Sequence, residues 1–90
     1  MLHKSRIRIC NKLGLHARAA AKFVSRASEF ASEITVLKDE TKANGKSIMS
    51  MLMLAAGFGT ELEIIAEGRD AEQALNSLVA LIDNKFDEAQ

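Results

Sequence analysis

The stretch TELEIIAEG, Thr60 to Gly68, sets Leu62, Ile64 and Ala66 against Glu61, Glu63 and Ile65. Side chains of a strand point alternately to its two faces, so this pattern reads as a strand with one packed and one largely wet face. RIRIC, Arg6 to Cys10, repeats it with Ile7 and Ile9 inward, and EITVLK, Glu33 to Lys38, is rich in β-forming residues. A sheet with one wet face must pack everything else against the other. That requirement constrains the fold more than any other feature. Whatever helices the chain forms belong on one side of one sheet.

The helices follow a 3.6-residue period. Within Ala17–Ser28, Ala20, Phe23, Val24 and Ala27 form one stripe, leaving Arg18, Lys22, Ser25 and Arg26 on the wet face. Ile48 to about Ala56 reads as a short second helix ended by Gly57 in the C′ position. Asp70, with Gln73 three residues later, makes a capping box for a third helix whose inward stripe is Ala71, Leu75, Leu78, Val79 and Ile82. NKLG is a loop, and DETKANGK holds a turn and a short third strand, because Asp39, Asn44 and Gly45 favour turns. The expected order is β-α-β-β-α-β-α, an open-faced α/β sandwich. Without a linker or internal repeat, residues 1–90 read as a single domain.

Composition excludes several functions. Apolar content of 48% and charged content of 27% support a packed core. Twelve basic residues balance twelve acidic ones, and Trp and Tyr are absent. Phosphate-backbone binding needs a basic excess and base stacking needs aromatics, so the expected partner is another protein, not nucleic acid. Cys10 is alone, which leaves no intrachain disulfide or multi-thiolate metal site and fits a reducing cytosol. No apolar run approaches the ~20 residues of a membrane span, and the N-terminus lacks an apolar signal region. The expectation is a soluble, cytoplasmic chain without metal or cofactor.

One stretch carries the chemistry: LGLHARAAAKFV, Leu13 to Val24, places a histidine at a helix entrance. His3 belongs to the expected ragged start, so His16 is the only interior histidine. The first helical turn has unpaired N–H groups and the positive end of the macrodipole, and it holds anions without a dedicated pocket. His16 stands at or near the N-cap, and the backbone N–H groups of Ala17 and Arg18 face the same space. Gly14 frees the loop, and the Arg18 guanidinium suits phosphate oxygens. A neutral imidazole is a competent nucleophile near neutral pH. Together these describe a histidine that accepts a phosphoryl group. A surface histidine without a role is the plain alternative. A four-ligand metal site and a Ser-His-Asp hydrolase both rank below, for want of ligands and of a nucleophile elbow.

GLHAR followed by AAKFV, with GKSIMSMLML some thirty residues on, resembles the histidine-containing phosphocarrier (HPr) family of the phosphoenolpyruvate-dependent phosphotransferase system. The resemblance extends over nearly the whole chain, including SEITV and TELEIIAEG. It implies four antiparallel strands covered by three helices, and a carrier, not an enzyme. By resemblance, enzyme I phosphorylates His16 on Nδ1, Arg18 is its companion, and the group passes to a histidine of an enzyme II A component. Ile48, Met49 and Leu52 occupy positions of the docking patch, and Ser47 matches a site phosphorylated in some bacteria by an HPr kinase/phosphorylase. A monomer is expected. The family commonly has proline where this chain has Ala19, which implies a less rigid helix entrance. NKLGLHARAAAKFV and SIMSMLMLAAG look more like the nitrogen-related (NPr) or regulatory branch than the sugar-uptake branch. A non-catalytic regulatory module of the same fold is the competing function.

The second helix supports a docking surface independently. From Ile48 to Ala56 only Ser50 is polar, and one short helix cannot bury apolar residues all round. Met51 and Leu54 are the expected core members. Methionines suit a surface that meets more than one partner. Ser47 directly precedes this helix and reads first as its N-cap.

Overall fold

Strands β1 (Leu2–Arg8), β2 (Glu33–Lys38), β3 (Thr41–Asn44) and β4 (Glu61–Glu67) form one antiparallel sheet in the computed structural model, which describes residues Met1–Gln90. The spatial order is β1-β4-β2-β3, so β4 is flanked by β1 and β2. Its register pairs Ile64 with Ser5 on one side and with Val36 on the other. Leu62, Ile64 and Ala66 are buried, as their alternation requires, together with Ile7, Ile34 and Val36. Helices α1 (Ala17–Ala27), α2 (Ile48–Leu52) and α3 (Ala71–Asp83) cover that face. This is the four-stranded, three-helix open-faced sandwich in the expected order.

Alpha1 buries Ala19, Ala20, Phe23 and Ala27, while Val24 is only half-buried. Alpha3 buries Ala71, Ala74, Leu75, Leu78, Leu81 and Ile82, so its stripe is wider than expected and Val79 lies at its margin. Each large apolar side chain placed in this core contributes about 1.5–3 kcal/mol. The wet face of α1 is less free than its charges imply. Arg26 donates to the Ser77 carbonyl (3.2 Å) and hydroxyl (3.1 Å) on α3, and Lys22 donates to the Phe86 carbonyl at 2.9 Å.

Several expectations are corrected. Beta1 begins at Leu2, not Arg6, because it pairs along all of β4; His3 is therefore a half-buried strand residue opposite Ala66, not part of a ragged end. Ile9 is buried yet lies beyond the strand, held by bonds to Thr60 and Gly59. Alpha2 ends at Leu52, not Ala56, and Gly57 is not its cap. The chain turns instead at Ala55 (φ 52°), where the Lys38 amine donates to the Leu54 and Ala55 carbonyls at 3.0 and 3.3 Å. The last carbonyls of α2 accept from the Met53, Leu54 and Ala55 N–H groups, and the Lys38 amine holds the two carbonyls that follow.

The capping box at Asp70 does not form either, since its side chain bonds no N–H of α3. The carboxylate instead accepts from Ala31 N–H (2.8 Å), Ser32 N–H (2.9 Å) and the Ser32 hydroxyl. Three donors outbid one cap bond and tie the start of α3 to the entry of β2. The Ser32 hydroxyl, then the Ala31 N–H, hold this carboxyl below its ordinary 3.8 against a smaller opposing effect of burial.

Candidate functional site

His16 is the N-cap residue of α1, with an extended backbone (φ −82°, ψ −178°), and its carbonyl accepts the first helical bond from Ala20 N–H at 2.8 Å. Its Nδ1 faces the Arg18 N–H at 3.3 Å, so the ring's lone pair points into the open first turn. The N–H groups of Ala17 and Arg18 have no partner within the helix, and no acidic residue occupies the first turn to compete for them. Arg18 is exposed, as expected, and its guanidinium is free to follow an anion bound there.

The loop leading in is fixed by close approach. Gly14 has φ +72°, and a Cβ there would lie 2.8 Å from both the Ala56 carbonyl oxygen and the Gly57 Cα. Leu15, buried, donates its N–H to Ala56 at 2.8 Å. Glycine is thus needed twice, for its backbone conformation and for the contact. Gly57, expected as a helix cap, lies instead against the histidine loop. Ala19 is fully buried within α1. Although it lacks the rigidity of proline, packing on both sides of the turn orders the entrance.

The C-terminal segment, to which no function attaches on sequence grounds, reaches the same place. Lys85, Phe86 and Asp87 adopt left-handed conformations (φ 58°, 53° and 65°), forming one turn that folds the chain back toward α1. Such residues cost roughly 1–2 kcal/mol each, so the three together cost more than the roughly 1.5–3 kcal/mol that one buried phenylalanine returns. Phe86 is completely buried, and further ties hold the turn: Lys22 to the Phe86 carbonyl, and Lys12 N–H to the Gln90 carbonyl at 2.8 Å. Glu88 then meets His16, its carboxylate 2.5 Å from Nε2. It also accepts from Asn11 Nδ2 at 2.9 Å, and buried Asn11 donates in turn to the Gly14 carbonyl at 2.8 Å. Burial alone would raise the Glu88 carboxyl. The bonds from Asn11 and His16, and the charges of His16 and Arg18, outweigh it and hold the group below its ordinary 4.5. A cleft of about 400 Å³ runs beside the tail, with Lys12, Arg18 and Lys22 along it.

Ser47 is the N-cap of α2, and its hydroxyl accepts from Ser50 N–H at 3.2 Å. Met51 and Leu54 are buried, as expected. Met49 is 72% exposed and Ile48 41%, while Leu52 is half-buried. Met53, Phe58 and Leu13 are also exposed. Leu13 and Phe58 adjoin the Gly14–Gly57 contact, so apolar surface continues from α2 toward the histidine loop. Their sequence signal is weak, an isolated apolar residue in each of two loops.

A half-buried histidine at a helix end, beside backbone donors and cations and without an enclosing pocket, suits a group that is received and handed on. The fold that presents it is that of phosphocarrier proteins. Residues 3–84 match the family described as "PTS HPr component phosphorylation site". The chain is 51% identical over 83 residues to phosphocarrier protein NPr of Shewanella violacea, covering 92% of this chain and 91% of the relative. It is 53% identical over 85 residues to phosphocarrier protein HPr of Pseudomonas aeruginosa, covering 93% and 94%. A crystal structure of HPr from Thermoanaerobacter tengcongensis superposes with a TM-score of 0.94 at 48% identity, covering 98% of this chain and 99% of that one. This chain belongs to the HPr family, and it is a phosphocarrier of the phosphotransferase system.

Proposed function

We propose that His16 is the carrier residue: its Nδ1 accepts a phosphoryl group from enzyme I charged by phosphoenolpyruvate and passes it to a histidine of an enzyme II A component. The observation that carries this reading is the position of Nδ1, which accepts from the Arg18 N–H at the open first turn of α1. There the incoming phosphoryl oxygens meet the Ala17 and Arg18 amides and the positive helix end, and the Arg18 side chain adds a permanent charge. The protein holds the group; donor and acceptor supply the rest of each transfer site. Incubation with phosphoenolpyruvate, magnesium and enzyme I adds one acid-labile phosphate, detected by mass, and His16→Ala abolishes it. A wild-type chain that gains no phosphate from competent enzyme I overturns the reading.

Donor and acceptor dock in turn on one surface, Ile48, Met49 and Leu52, whose partial exposure beside the Ser47 cap supports that use. Phosphorylation of Ser47 by an HPr kinase/phosphorylase leaves α2 intact, because a helix N-terminus tolerates negative charge. It blocks transfer by placing that charge where docking removes water. Ser47→Asp reproduces this with near-native stability and slow transfer, and normal transfer in that variant removes the switch. We also propose that the chain acts as a monomeric single domain in the cytoplasm; a dimer in sedimentation at working concentration overturns the first part of that. The acceptor we assign is of the nitrogen-related type, on the strength of NKLGLHARAAAKFV and SIMSMLMLAAG. Faster transfer to a sugar-type than to a nitrogen-type acceptor reverses that assignment.

A further inference from the structure

Nothing in the fold requires the chain to return to α1 after α3, and the return is strained. Three successive non-glycine residues take left-handed conformations, and the segment they redirect ends on the candidate histidine. Phe86 anchors it in the core, Lys22 and Lys12 hold its backbone, and Asn11 holds the Glu88 carboxylate from a fully buried position. These ties converge on one contact, between Glu88 and the ring nitrogen of His16 that does not face the helix.

We propose that Glu88, presented by this C-terminal strap, is the positioning residue for His16, fixing its reactive tautomer and balancing the charge of its phosphorylated ring. The inference rests on the assignment of His16 as the phosphoryl acceptor. An ionised carboxylate accepts only, so the proton between the two groups belongs to Nε2. Nδ1 then keeps its lone pair, which the Arg18 N–H already faces. Without the carboxylate the neutral ring divides between two tautomers, and the one protonated at Nδ1 can attack phosphorus only through Nε2. Orientation of a reactive imidazole through its second nitrogen is a general device.

The transfer step needs no proton movement at His16. The Nδ1 lone pair forms the new N–P bond, while the bond from phosphorus to the donor's phosphohistidine nitrogen breaks and its electron pair returns to that nitrogen. Nε2 keeps its hydrogen throughout, so the product ring is a cation carrying the phosphoryl group. Glu88 lies against the edge of the ring opposite the phosphoryl group and neutralises that cation without approaching the phosphate. The strap therefore stays closed in both states. On transfer to an acceptor the N–P bond breaks, its electrons return to Nδ1, and the ring leaves as the neutral tautomer that began the cycle.

Two probes test this without relying on a partner protein alone. Nitrogen-15 shifts of the His16 ring at pH 8 report the tautomer directly, and inorganic phosphoramidate, a small phosphoryl donor, reports which nitrogen reacts. Wild type is expected to show the Nε2–H tautomer and to form the Nδ1 phosphate. Glu88→Ala is expected to give mixed tautomers, a share of Nε2 phosphate, and transfer from charged enzyme I slowed on the order of 10-fold, as when a carboxylate orienting an imidazole is removed, with KM unchanged. Glu88→Gln, which still accepts the bond, is expected to restore the tautomer and the regiochemistry but only part of the rate. Removal of residues 89 and 90 cuts the Gln90 tie while sparing Glu88, and is expected to keep the wild-type tautomer.

An unchanged tautomer in Glu88→Ala overturns the inference, and so does a rate loss in that variant without altered regiochemistry, which marks the strap as structural only. A tautomer lost equally in the chain lacking residues 89 and 90 also overturns it, because strap closure and not the carboxylate would then be responsible. Failure of wild type to accept phosphate from enzyme I overturns the proposed function instead, and leaves the tautomer measurement to be read by itself.

Discussion

The entrances of α1 and α2 solve the same problem by different means. Each helix begins with a side-chain N-cap and has no acidic residue in its first turn. At α2 the cap itself is local: Ser47 bonds Ser50 three residues on, and the distant contacts of its loop, Gly45 N–H to the Ile34 carbonyl and the Lys46 amine to the Phe30 carbonyl, stop short of the cap side chain. At α1 the cap is a histidine with one nitrogen on its own helix, and the rest of its surroundings come from afar. Residues 56 and 57 support its loop, and Glu88 holds its other nitrogen. The contrast shows what separates a capping residue from a candidate reactive one. Both satisfy a helix end, but only at α1 do remote segments also decide which face of the side chain remains open.

That contrast predicts a graded set of outcomes. Phe86→Ala removes the anchor of the strap and a fully buried aromatic ring, and is expected to cost about 3–5 kcal/mol in urea denaturation. A cost below 1 kcal/mol would mean that the tail contributes no core packing, and that the α1 entrance is as local as that of α2. Ser47→Ala removes one cap bond and is expected to cost about 1 kcal/mol. The His16 ring shifts should stay at their wild-type values, and a change in them would show the two entrances to be coupled.

Acid should affect the two carboxylates that join distant segments. Both Asp70 and Glu88 are held below their ordinary values in the folded chain. Each therefore contributes stability that is fully present above its unfolded value, and loses it as pH falls through its lower folded value. Wild-type stability should hold down to about pH 4.5 and decline below it. Asp70→Asn should be less stable at pH 7 and show a shallower acid decline, measured by denaturation midpoints. An equally steep decline in that variant would remove Asp70 as a source of it.

The smallest stability effects are expected on the exposed side chains. Arg18→Ala should stay within about 0.5 kcal/mol of wild type while slowing phosphoryl transfer; a loss of several kcal/mol would make Arg18 structural. Met49→Glu should likewise fold normally and bind enzyme I more weakly. Unchanged affinity with a native circular-dichroism spectrum would place Met49 outside the docking surface.

Much of this molecule was legible in one dimension. The alternation of Leu62, Ile64 and Ala66 required a one-faced sheet, and the stripe of Ala20, Phe23 and Ala27 required a helix against it. His16 stood out because a helix entrance, a glycine and an arginine lay within a few residues of it. Such features depend on periodicity and near neighbours, which sequence records directly. Where sequence reasoning failed, a distant partner outbid the local one. Asp70 abandoned its own helix for Ala31 and Ser32, and Lys38 holds the turn after α2, which ends before Gly57. His3 joined a strand because β4 was long enough to pair with it. Glu88 carried no signal near the chain's end, since its meaning depends on a left-handed turn and on a histidine 72 residues away. Sequence by itself determined which segments form strands and helices, which faces they bury, and which histidine invites chemistry. Only the tertiary structure decided which polar groups meet, because hydrogen-bond partners are chosen by proximity in space, and that proximity exists only once the core has closed.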